Sequence, residues 1–206
     1  GKKDGRSTVW LTPEEKQEER FYKNGKLDGP STFWENGYRS TMTTYKSDSP
    51  EGPWVIWFSN SDQIKEQGFH QKGIREGLTT YYYEDGTMQR EGFFKEGLPD
   101  GMWTYWNKEG EKDFDFDFGS GLQHISLEDL VERESTFYKL GEDTPFTGII
   151  TQENPEADYL FLGRTKGGKK DGQWVKWFPS GKDVPEIILV DVPDPEPVLP
   201  CSLIHI

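Results

Sequence analysis

The chain has 206 residues, 32% of them hydrophobic and 15% aromatic, and a formal net charge of −13. So few hydrophobic residues with so many rings exclude a thick-cored globule; disordered chains are poor in aromatics, so disorder is excluded too. The charge excludes nonspecific nucleic-acid binding and disfavours an anionic membrane surface, and the single cysteine, Cys201, excludes an intrachain disulfide.

From its first residues the chain follows one repeated phrase. Gly1-Lys-Lys-Asp-Gly5 is the end of a phrase that returns whole as Tyr22-Lys-Asn-Gly-Lys-Leu-Asp-Gly29. It recurs as His70-Gln-Lys-Gly-Ile-Arg-Glu-Gly77, Lys95-Glu-Gly-Leu-Pro-Asp-Gly101 and Lys166-Gly-Gly-Lys-Lys-Asp-Gly172. The closing glycines Gly5, Gly29, Gly52, Gly77 and Gly101 lie 24, 23, 25 and 24 residues apart. After a gap of 47 residues the beat resumes at Gly148 and Gly172, again 24 apart. A repeat of this period sets the architecture before any single element does.

A second turn signal divides most units, at Gly37, Gly86, Gly110 and Gly181. The runs between turns are rich in Trp, Tyr, Phe, Thr and Val, which is strand composition bounded by turn residues. Each unit therefore reads as a β-hairpin, and the whole as an all-β, elongated meander of stacked antiparallel hairpins. Five residues after the closing glycines stand Trp10, Trp34, Trp57, Tyr82, Trp106 and Trp177. A further column reads Phe21, Tyr45, Phe69, Phe94 and Phe118. These uniform columns are expected to be core. The opposite, less regular face carries Trp54, Tyr81, Tyr83, Trp103, Tyr105 and Trp174, the candidate binding residues, because an exposed aromatic patch marks an interaction site.

After residue 118 the beat breaks. Ser126-Leu-Glu-Asp-Leu-Val-Glu-Arg has an N-cap residue, acids in the first turn and helically spaced Ile125, Leu127, Leu130 and Val131, which predicts a helix of about two turns. Phe137-Tyr-Lys-Leu-Gly141 then repeats the earlier Phe21-Tyr-Lys-Asn-Gly25. The expected divisions are a first array over 1–118, a linker with the helix over 119–136, a second array over 137–190 and an acidic, proline-rich tail over 191–206.

Chemistry is sparse. Asp113, Asp115 and Asp117 share one strand face, but an EF-hand counted from Asp113 needs Gly and Glu where Phe118 and His124 stand, so no calcium site is read. His70, His124 and His205 have no metal-ligand spacing. No nucleophile elbow or phosphate loop occurs, and Gly167-Gly-Lys-Lys is a turn in phase with the repeat. The expectation is a non-enzyme with no cofactor. No apolar run reaches the length of a membrane span and no signal peptide is visible. Because the chain starts in mid-repeat, a processed or truncated product is expected, either cytoplasmic or exported.

The phrase Asn-Gly-Lys-x-Asp-Gly, followed by paired aromatics at this period, resembles the MORN repeat over roughly residues 1–118 and 137–182. It resembles most the bacterial variant assigned as the antitoxin component of toxin–antitoxin systems. The resemblance implies a non-enzymatic scaffold that binds a protein partner; with this charge, the expected partner is basic. The alternative is an exported or cell-surface module stacking sugar rings on Trp54, Trp103 and Trp174.

Overall fold

The structure, a computed structural model, describes residues 1–154, 159–177 and 186–189. These fall into two compact units, the first Gly1–Leu122 and the second starting at Gln123. Pro155, Phe178, Gly181 and the tail with Cys201 and His205 lie outside the described residues.

The first unit is one antiparallel sheet whose strands pair largely in chain order. They are β1 (Gly5–Trp10), β2 (Lys16–Lys23), β3 (Lys26–Glu35), β4 (Tyr38–Lys46), β5 (Ser49–Trp57), β6 (Ile64–Gln71), β7 (Ile74–Arg75), β8 (Gly77–Tyr82), β9 (Met88–Lys95), β10 (Leu98–Trp106) and β11 (Lys112–Asp117). β7 is a short continuation of the β8 line, hydrogen-bonded to β6. The expected all-β hairpin meander is what the sequence forms.

Why it forms is visible in the turns. Asn24-Gly25, Asn36-Gly37, Ser47-Asp48, Lys72-Gly73 and Glu96-Gly97 each place two consecutive residues at positive φ. That is the two-residue turn whose twist matches the strands it joins. Adjacent turns are also stitched together. Gly25 N–H donates to Lys3 C=O at 2.7 Å, Gly73 N–H to Pro50 C=O at 2.9 Å and Gly97 N–H to Arg75 C=O at 3.0 Å. The acid before a closing glycine adds a second stitch. The carboxylates of Asp4, Glu51 and Glu76 accept from the backbone N–H of Asn24, Lys72 and Glu96 at 3.0, 2.8 and 2.9 Å. At these three turns the Asp/Glu-Gly ending of the phrase thus locks one repeat onto the next.

Cross-strand register places the closing glycines in a row facing aromatics: Gly5 opposes Tyr22, Gly29 Tyr45, Gly52 His70 and Gly77 Phe94. The ring column is therefore Tyr22, Tyr45, His70, Phe94; the expected Phe21 and Phe69 point to the opposite face. Just before Trp10, Trp34, Trp57, Tyr82 and Trp106 the register shifts by one residue. Such a bulge adds local twist at the same place in every unit.

The second unit holds β12 (His124–Ser126), β13 (Leu130–Arg133), β14 (Thr136–Lys139), β15 (Gly148–Asn154), β16 (Tyr159–Lys166), β17 (Lys169–Trp177) and β18 (Glu186–Leu189). β12 pairs parallel to β15, a departure from the expected all-antiparallel order. The predicted two-turn helix is a correction as well. Only Leu127–Asp129 makes one 3-10 turn, and Leu130–Arg133 runs on as a strand. Glu134 and Ser135, both at positive φ, turn that strand into a hairpin with Thr136–Lys139. This hairpin, and the packing of Leu127 and Leu130 on the core, override helix propensity here. Leu127 and Leu130 pack with Ile125 and Phe161 on the core of Phe137, Phe146, Ile150 and Trp174.

Candidate interaction surface

Side chains alternate between the two faces of each strand, so register assigns every residue of the first sheet to a face. One face, here the inner face, carries the row Ser7, Arg20, Ser31, Thr43, Trp54, Gly68, with Thr79 opposite Gly92 and Trp103 opposite Phe116 further along. The other, outer face carries the row Thr8, Glu19, Thr32, Met42, Val55, Gln67, Thr80, Glu91, Thr104, Asp115.

The candidate binding aromatics sit on the inner face and are core. Trp54, Trp103 and Tyr105 are 3%, 2% and 1% exposed, and Tyr83 is buried with them; Tyr81 is half-buried. In the second unit Trp174 is buried as well. The expectation that these rings form an open contact face is therefore overturned. The physical reason is a clasp of tryptophan over glycine on the neighbouring strand. Any side chain at Gly68 would collide with the Trp54 ring, at Gly92 with Trp103 and at Gly163 with Trp174. With no Cβ in the way, each indole lies flat over the next strand's backbone. Trp103 Nε1 donates to Phe93 C=O at 3.1 Å and Trp174 Nε1 to Arg164 C=O at 3.0 Å, which satisfies the buried indole N–H. The uniform column divides: Trp57 and Trp177 are buried, Trp34, Tyr82 and Trp106 half-buried, and Trp10 exposed.

Trp54 is further covered by Arg75, whose guanidinium lies 4.5 Å from its ring centroid. Arg75 donates to the Tyr81 hydroxyl at 2.9 Å and to Glu66 at 3.3 Å. Burial pushes the Tyr81 phenol above its ordinary range despite the nearby arginines. The His70 ring lies 5.6 Å from Trp54, and burial, reinforced by the Arg75 charge, holds its pKa below the ordinary imidazole value. Each charge in this group is already engaged by another side chain, so it acts as a polar lid on the clasp. Of the expected structural glycines, Gly5, Gly29, Gly52, Gly77, Gly101 and Gly172 have positive φ. Gly148 does not; a side chain there would strike Gln123 C=O and the Phe146 ring.

The open apolar surface is on the outer face. Phe69, Leu78, Phe93 and Met102 come from the consecutive lines β6, β8, β9 and β10, and are 45%, 45%, 56% and 56% exposed. Leu78 stands directly opposite Phe93. Ile74 and Leu98, opposite Gln71 and Lys95 at the turn ends, extend the same surface and are also exposed. Pro53, opposite Phe69, and Asp117, opposite Met102, bound the row. Sequence reasoning placed Phe69 among the core rings and missed the others. The signal was present in Gly68-Phe69 and Gly92-Phe93. A glycine inside a strand marks where an opposing ring lies down, and the next residue points the other way.

Acids dominate the surroundings: Glu91, Asp100, Asp115 and Asp117 share the outer face of β9–β11 with Lys95 and Lys112. Asp115 accepts from Lys112 and, at 2.7 Å, from the Thr104 hydroxyl; these bonds, the lysine's above all, hold its carboxyl below the usual range. Among the described residues no group of three His, Cys, Asp or Glu could hold a metal ion. Comparison with protein-family models and with curated proteins gives no match.

Proposed function

We propose that this chain is a non-enzymatic scaffold of the MORN-like kind that binds another protein, with the outer apolar row of the first unit as its contact surface. The observation that carries the reading is the run of exposed large side chains on one continuous sheet face, Phe69, Leu78, Phe93 and Met102. Exposed apolar surface of this kind marks interaction sites. The charge of −13 favours a basic partner, as an antitoxin-like inhibitor covering a cationic protein would have. The carbohydrate alternative rested on open faces of Trp54, Trp103 and Trp174, and burial removes that basis.

Tagged protein expressed in its own host, purified at low salt, should retain a basic partner that dissociates as salt rises. Phe93→Asp combined with Met102→Asp should lose that partner while melting like the parent chain. A partner held equally well by the double variant, or none at any ionic strength, overturns the reading. The antitoxin form adds one demand: co-expression must relieve the growth arrest caused by the partner alone.

A further inference from the structure

We infer that the outer row is shaped for an amphipathic, basic α-helix lying across the strands; this rests on the row being the contact surface. The row lies inside the sheet, between β5 and β11, where backbone donors and acceptors already pair with neighbouring strands. A partner strand added by backbone pairing needs an edge, so this surface offers side-chain contact only. Strands are spaced about 4.8 Å apart, so Phe69 to Met102 spans three intervals, roughly 14 Å. A helix presents one side chain per turn at a pitch of about 5.4 Å, so three turns cover about 16 Å and put an apolar residue over each strand. Same-side residues of an extended chain recur every ~6.6 Å and fall out of step with the row.

Direction follows from what flanks the row. Along any one strand the neighbour two residues away is polar: Gln67 beside Phe69, Thr80 beside Leu78, Glu91 beside Phe93 and Thr104 beside Met102. A helix parallel to the strands would lay its apolar stripe on those groups. Across the strands the stripe meets Phe69, Leu78 and Phe93 in turn, and on β10 it meets Met102 beside Asp100, the register partner of Phe93. Glu91 stands two residues from Phe93 on its own strand, Asp100 is the register partner of Phe93 on β10 and Asp117 that of Met102 on β11, so the helix needs cationic side chains at that end of the row. A second copy of this chain, also at −13, is the wrong charge for that place.

Three fluorescent 18-residue probes test this: Leu/Lys patterned at helical spacing, Leu/Lys in strict alternation, and Leu/Glu at helical spacing. The full chain should bind the helical basic probe at least tenfold more tightly than either other probe by fluorescence anisotropy. Phe93→Asp should weaken that binding at least tenfold, and a photo-crosslinker at the probe's central leucine should mark Leu78 or Phe93. If the alternating probe binds better and is still lost in Phe93→Asp, the helix inference fails while the contact surface stands. If every probe is indifferent to Phe93→Asp, and the native partner is too, both fail. Binding to phosphatidylcholine vesicles through the same row, with none to the helical probe, would also overturn the helix.

Discussion

The two ends of the first sheet share one hydrogen-bonded frame and differ in what fills it. In β1–β4 the inner row is Ser7, Arg20, Ser31 and Thr43, and the tryptophan at the start of the outer column, Trp10, is 50% exposed. In β8–β11 the corresponding inner positions lead to Trp103 and Phe116, each 2% exposed, with Tyr105 stacked on Phe114 at 4.5 Å. Turns, bulges and the acid stitches recur at both ends. Backbone geometry is therefore set by the repeated phrase, while burial is set by whether a tryptophan meets a glycine across the strand.

Substitutions at the two ends should show that contrast, the largest effect first. Trp103→Ala should destabilise the first unit by about 3–5 kcal/mol in denaturant unfolding, as loss of a buried ring does. Gly92→Val, which fills the space the indole needs, should cost about 3 kcal/mol and shift tryptophan fluorescence to longer wavelength. Glu76→Ala removes one stitch between turns and should cost about 1 kcal/mol. Trp10→Ala, at the exposed end, should cost no more than about 0.5 kcal/mol, since surface changes away from packed features are small. Equal costs at Trp10 and Trp103 would erase the contrast.

Acid should act through the polar lid on Trp54. The folded state holds the His70 pKa below the ordinary value of 6.5, so the unfolded chain binds its proton first on acidification. The stability this neutral imidazole contributes is present above about pH 6.5 and is lost as pH falls through and below that value. His70→Gln should flatten the change in melting temperature between pH 7 and pH 5.5; an unchanged slope would show that His70 plays no part.

Much of this architecture was legible before any coordinates. The Asn-Gly phrase announced the turns and the period announced the meander, because both depend on local backbone conformation. Alternation sorted the side chains of these strands into the right two sets, but which set is buried was not legible. Regularity along the repeat does not report burial, and the ring-over-glycine packing that decides it lies between strands. Trp54 and Trp103 looked like decoration on a variable face until Gly68 and Gly92 were seen to oppose them. Leu127–Arg133 looked helical from its cap and spacing, whereas the left-handed turn at Glu134-Ser135, without glycine or asparagine, and the packing of Leu127 and Leu130 on Phe146, Ile150 and Trp174 carry no such local signal.

Hydroxyl-radical footprinting of the intact chain, read residue by residue by mass spectrometry, tests the assignment of faces most directly. Phe69, Phe93, Met102 and Trp10 should be modified quickly, and Trp54, Trp103 and Trp174 slowly. Rapid modification of those three tryptophans, with Phe93 and Met102 protected, would turn the sheet inside out and remove the contact surface with it.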